Sequence, residues 1–187
     1  MKIIPRRLQG VFEIRLSPLY DHRGHFMRIY DENIFSESGL HRRWLQENQS
    51  VTLRKDTIRG LHFQYAPSTE TKLVRAAKGA VYDVFVDLRT DSPTFGEWDS
   101  IELSEDTQAM IYLPRGFAHG FCTRTDYCVV QYKVDQEFSP IADGGIRWND
   151  PSIGVQWPTE APILSEKDKN LPTLEAFLAQ HKGLDVK

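Results

Sequence analysis

Only two cysteines occur in 187 residues, which excludes a small fold stapled by several disulfides. Cys122 and Cys128 flank TRTDY and could face each other across a hairpin. The chain starts MKIIPRRLQGVFEIRL, without the apolar h-region of an export signal, so both thiols are expected to stay reduced in the cytoplasm. No stretch approaches the ~20 apolar residues needed to span a bilayer. A basic block is missing too. The 26 acidic and 23 basic residues are mixed along the chain and leave a net charge of -3, so neither nucleic acid nor a membrane is an expected partner. Local basic clusters could still hold one diphosphate. The length suits a single domain, residues 1–187, able to bury about two thirds of its unfolded surface.

Helical periodicity is scarce as well. The dominant pattern has period two, in VFEIRL (Val11 to Leu16), AVYDVFVDL (Ala80 to Leu88) and YCVVQYKVD (Tyr127 to Asp135). Between such runs lie DHRG, KDTIRG, AAKG, TDSPTFGEW and LPRG, rich in turn-forming residues. An all-β sandwich or barrel follows. Only two helices are expected, a short one over Glu32 to Ser38 and a terminal one over Leu171 to His181. Phe138 to Lys169 reads as a loop that packs on the core through Trp148 and Trp157.

Strand phase groups the side chains. Val130, Tyr132 and Val134 share one face, which turns Tyr132 inward, while in RGLHFQ the phase separates His62 and Gln64 from Leu61 and Phe63. Taken alone, His62 is a packed core histidine, a metal ligand or a proton-transfer base. LPRGFAHGF adds His119, carried inward by a strand after a turn. Two imidazoles without an evident third ligand make a poor metal site, so no metal is expected. G-x-S-x-G, Walker and dinucleotide-binding fingerprints are absent. The remaining chemistry is cofactor-free acid/base catalysis by His, Tyr, Lys and Asp, suited to removing a proton next to a carbonyl.

From about Val11 to about Pro172 the blocks DHRGHF, QENQS, IRGLHFQ, KLVRAAKGAVYDVFVDLRTDSPTFGEW, LPRGFAHGF, QYKV, GGIRWNDPSIGVQWP and LSEKD occur in order. This series resembles the cupin-fold dTDP-4-dehydrorhamnose 3,5-epimerases. The resemblance implies a jelly-roll barrel with a few short peripheral helices, a homodimer, and a nucleotide-diphospho-4-keto-6-deoxy sugar epimerised without a cofactor. It also implies roles. His62 would be the base, Asp168 its orienting carboxylate, Tyr132 the acid on the opposite sugar face, Lys72 the enolate stabiliser, and His119 a hydrogen-bonding assistant. Arg23, Phe26, Gln46, Asn48, Arg59, Asp143 and Lys167 would contact the substrate. Three positions depart from the family pattern: Arg28 stands for a usual glutamate, Phe138 for tyrosine and Asp143 for glutamate. Arg28 bears on recognition of the nucleotide base. A C3-only epimerase and a non-catalytic nucleotide-sugar-binding cupin are the other readings, the second disfavoured because binding alone needs no matched base and acid.

Overall fold

The computed structural model describes residues 1–186. In chain order its elements are β1 (Lys2–Pro5), β2 (Phe12–Arg15), β3 (Leu19–Asp21), β4 (Gly24–Phe26), α1 (Glu32–Glu37), β5 (Gln46–Thr52), β6 (Ile58–Gln64), β7 (Lys72–Lys78), β8 (Ala80–Asp87), β9 (Trp98–Ser104), β10 (Ala109–Leu113), β11 (Phe117–Thr123), β12 (Cys128–Val134), β13 (Asp143–Gly145), α2 (Glu166–Lys169) and α3 (Leu174–Leu178). Six strands form one sheet, ordered β1-β2-β10-β7-β12-β5, and five form a second, ordered β13-β6-β11-β8-β9. The two enclose a jelly-roll barrel of the cupin type. Strands β3 and β4 pair only with each other, as a separate hairpin.

Apolar side chains fill three layers. Val74, Ile111 and Val130 of the larger sheet meet Val81, Phe85, Leu103 and Phe121 of the smaller one between the sheets. Outside the smaller sheet, Leu61, Phe63, Val86 and Ile146 are covered by Leu174 and Phe177, with Trp157 packed against them. Beyond the larger sheet, Ile14, Leu73 and Tyr112 pack with Phe35 of α1.

This layering fixes the register of β6. Leu61 and Phe63 are 0% and 3% exposed in the outer layer, which leaves His62 and Gln64 facing between the sheets. A slip of one residue would bring out both apolar side chains at a cost of roughly 3–6 kcal/mol. The backbone adds a second constraint. Gly60 has φ +137, and a Cβ there would lie 2.5 Å from the Cα of Gly120 on the neighbouring β11, so no larger residue fits the conformation or the space.

Two expectations need correction. The terminal helix is shorter than Leu171 to His181: α3 begins after Thr173, whose side chain accepts from the Ala176 N–H, while the Pro172 carbonyl is tied to Arg147 N–H. The segment from Phe138 to Lys169 is not all loop, since it contains β13 and α2. Neither is long enough to leave a periodic pattern, and two of the three β13 residues are glycine. Both cysteines are free and buried, and burial pushes the Cys122 thiol up to about 11. Among the described residues, no helix is long and apolar enough to cross a membrane.

Candidate active site

A cavity of about 730 Å³ opens between the sheets, bordered by Arg59, His62, Lys72, His119, Tyr132 and Asp168. It adjoins a second of about 360 Å³, bordered by Gln46, Asn48, Glu70, Phe138 and Asp143; His62, Lys72, Tyr132 and Lys167 border both. Ten of the twelve residues singled out from the sequence therefore line one continuous region. Arg23 and Phe26 do not. They sit on the β3–β4 hairpin, where Arg23 pairs with Asp21 at 2.6 Å and Phe26 is 66% exposed. The hairpin joins neither large sheet, so within one chain these two residues lie outside the cavity lining.

His62 and His119 are direct cross-strand partners on β6 and β11. Each imidazole has its own carboxylate. His62 Nε2 lies 2.6 Å from Asp168 Oδ1, and His119 Nε2 lies 2.9 Å from Asp83 Oδ2. Asp168 is delivered by α2, whose first turn is capped when the Ser165 hydroxyl accepts from the Asp168 N–H. Burial opposes charge on Asp168, yet the His62 contact, the Ser165 hydroxyl and the Gly60 N–H together hold its carboxyl below the usual value. An ionised Asp168 accepts from Nε2–H, so the lone pair able to take a proton is on Nδ1 of His62.

Asp83 behaves differently. It is fully buried, its Oδ1 has no hydrogen-bond partner, and burial pushes its carboxyl up against the opposing influence of His119 and Lys72. The sequence reading missed this residue although a signal was available. In AVYDVFVDL, Asp83 shares its phase with Val81 and Phe85, both core residues, so a carboxylate was interrupting an inward face.

On the facing sheet, Tyr132 of β12 packs against the inter-sheet core, opposite Asn48 on one neighbour and Val74 on the other. Lys72, at the start of β7, is 8% exposed and pairs with Glu70 at 3.0 Å. The Arg59 guanidinium is braced against β5, donating to the Thr52 hydroxyl and the Val51 carbonyl. Gln46 Oε1 accepts from the Phe138 N–H. Lys167 and Asp143 form an ion pair with each other at the rim. No group of three His, Cys, Asp or Glu side chains converges as a metal-ligand set among the described residues.

A base with an oriented lone pair stands on one wall, with a phenol and an ammonium on the other. This arrangement can remove a proton from carbon, hold the resulting oxyanion and return a proton from the opposite side.

Known proteins carry the same fold and sequence pattern. The family model for dTDP-4-dehydrorhamnose 3,5-epimerase matches residues 5–176. A curated dTDP-4-dehydrorhamnose 3,5-epimerase of Methanothermobacter thermautotrophicus is 43% identical over 90% of this chain and 92% of its own. A dTDP-4-dehydrorhamnose 3-epimerase of Streptomyces niveus is 36% identical, over 91% of this chain and 82% of its own. The crystal structure of the 3,5-epimerase of Bacillus anthracis, with TDP and PPi bound, superposes with a TM-score of 0.91 at 42% identity, covering 92% of this chain and 99% of that one. With the family model spanning nearly the whole fold and relatives of this identity aligned along almost all of it, the chain belongs to the dTDP-4-dehydrorhamnose 3,5-epimerase family.

Proposed function

We propose that this chain inverts C3 and C5 of a dTDP-linked 4-keto-6-deoxy sugar to the L-rhamnose configuration, in the cytoplasm and without a cofactor. The observation that carries this reading is the division of the machinery between two walls. The His62–Asp168 pair lies on the smaller sheet's side, and Tyr132 and Lys72 lie on the larger sheet. A sugar ring between them would meet a base on one face and an acid on the other. His62 Nδ1 takes the proton from the carbon next to the C4 ketone. The bond's electrons move onto O4, where the Lys72 ammonium stabilises the enolate, and the Tyr132 hydroxyl returns a proton to the opposite face. His119 adds a hydrogen bond. His62 then releases its proton to solvent and the Tyr132 phenolate regains one, after which the same steps at the second carbon complete the change.

The diphosphate falls to Arg59 and Lys167, with Gln46, Asn48 and Asp143 contacting the ligand near Phe138. A guanidinium suits paired phosphate oxygens. Arg23 and Phe26 enter the reading through a homodimer, in which the hairpin of one copy reaches the cavity of the other. Leu19, Tyr20 and Phe26 on that hairpin are 66–71% exposed, an apolar surface that a second copy would cover. Mixing Arg23→Glu chains with His62→Ala chains tests the arrangement. Each variant is impaired alone, and mixed dimers should restore about a quarter of the wild-type sites. A wild-type chain that sediments as a monomer would exclude it.

Solvent-deuterium incorporation into the 4-keto sugar nucleotide tests the reaction. Label is expected at both C3 and C5, with a rate unchanged by EDTA. Label at C3 alone would favour the single epimerisation named for the Streptomyces niveus relative, and no label would favour a binding protein.

A further inference from the structure

Another carboxylate borders the smaller cavity, beside the ammonium that faces the developing negative charge of the proposed reaction. The Glu70 side chain is 12% exposed, and its Oε1 lies 3.0 Å from Lys72 Nζ. Its other oxygen accepts from Gln64 Nε2 at 3.1 Å. Gln64 is 4% exposed and is itself held on several sides: its two amide hydrogens are shared between Glu70 and the carbonyls of Ser68 and Glu137, and its oxygen accepts from the Ser139 N–H at 2.6 Å. Asp83 also feels the Lys72 charge, but its hydrogen bond is with His119.

An uncompensated carboxylate in this place would repel both an enolate and a diphosphate. Paired with Lys72 it does the reverse. It balances a nearly buried ammonium, whose isolation from water would otherwise be costly, and it restrains a four-carbon stem that has many rotamers when free. Resting on the epimerase reading above, we propose that Glu70 is a positioning residue for Lys72. It occupies one of the three ammonium N–H donors and so directs another at the ketone oxygen. Gln64 fixes the direction of Glu70 and ties it to the Glu137–Ser139 segment beside Phe138.

The test is a double-mutant cycle on the full-length protein, combining Glu70→Gln with Lys72→Met. Deuterium exchange at C3 gives the rate, titration with dTDP gives ligand affinity, and thermal unfolding reports the fold. Glu70→Gln is expected to lower kcat about 10- to 100-fold, the range for a misplaced catalytic group, and to lower the unfolding midpoint by leaving a nearly buried ammonium unpaired, with dTDP affinity unchanged. In the Lys72→Met background it should cause no further loss of kcat, because the carboxylate no longer has an ammonium to place. Glu70→Asp, which keeps the charge, should recover part of the loss and serves in place of Glu70→Gln if that variant does not fold. Equal losses in both backgrounds, or a wild-type rate for Glu70→Gln, would overturn the inference while leaving the epimerase reading in place. A wild-type chain that exchanges no 4-keto sugar nucleotide would overturn both.

Discussion

His62→Ala should abolish exchange at C3 and at C5 together, with a loss of about 10³- to 10⁴-fold in kcat, the upper part of the range for removal of a general base. The geometry makes this a clean experiment. The His62 side chain is 31% exposed, so its truncation opens solvated space rather than a sealed void, and Leu61 and Phe63 still anchor the strand. The dTDP complex should therefore still form. Asp168 records the change independently. Its carboxyl is held down partly by His62, and without that partner burial pushes it upward. A carboxyl depressed in the folded state adds stability above its unfolded pKa and loses it as pH falls through the folded value. The stability gap between His62→Ala and wild type should accordingly be widest near neutral pH and close in acid. Asp168→Asn should also lose exchange at both carbons, because an amide nitrogen can donate to the imidazole and favour the wrong tautomer. Exchange at either carbon at the wild-type rate in His62→Ala would remove this residue as the base.

Tyr132→Phe should separate two events that are lost together in His62→Ala. Proton removal depends on His62 and Lys72, whereas delivery to the far face depends on the phenol. Phenylalanine fits because the ring already packs against Val130 and its neighbours in the inter-sheet core, so only the hydroxyl is removed. Epimerised product is expected to fall by about 10²-fold or more. Deuterium should still enter the recovered substrate, returned from the His62 side with retained configuration. Mass spectrometry of unconverted sugar nucleotide, read beside product formation, measures both events. Equal losses would assign Tyr132 to binding or packing instead.

Much of this site is readable in the sequence because strands report their faces. Alternation places Tyr132 inward and His62 opposite Leu61 and Phe63, and the barrel keeps both assignments. Asp83 was legible by the same rule, as a charge in phase with Val81 and Phe85. Glu70 was not. It lies just before β7, outside any periodic run, and its role depends on Gln64, which arrives from β6. Asp168 could be named only through the family motif, since its approach to His62 crosses 106 positions of sequence. Arg23 and Phe26 mark another limit. Motifs name residues without placing them, and here the hairpin that bears these two pairs with neither large sheet of its own chain.

The close approach of Gly60 and Gly120 limits how this pocket can be redesigned or can drift. A Cβ at Gly120 would lie 2.7 Å from the Arg59 carbonyl and 3.0 Å from Gly60 Cα, mirroring the clash already met from the other strand. Gly120 directly follows His119, and Gly60 lies two residues before His62. Enlarging either glycine would push both histidines off their carboxylates together, so this wall offers no graded route to a new substrate. Such variation is confined to the edge strand β5, where Gln46, Asn48 and Ser50 face inward on alternate positions, and to the Phe138 segment. A library aimed at altered sugars or nucleotides should spend its diversity there and hold the paired glycines constant.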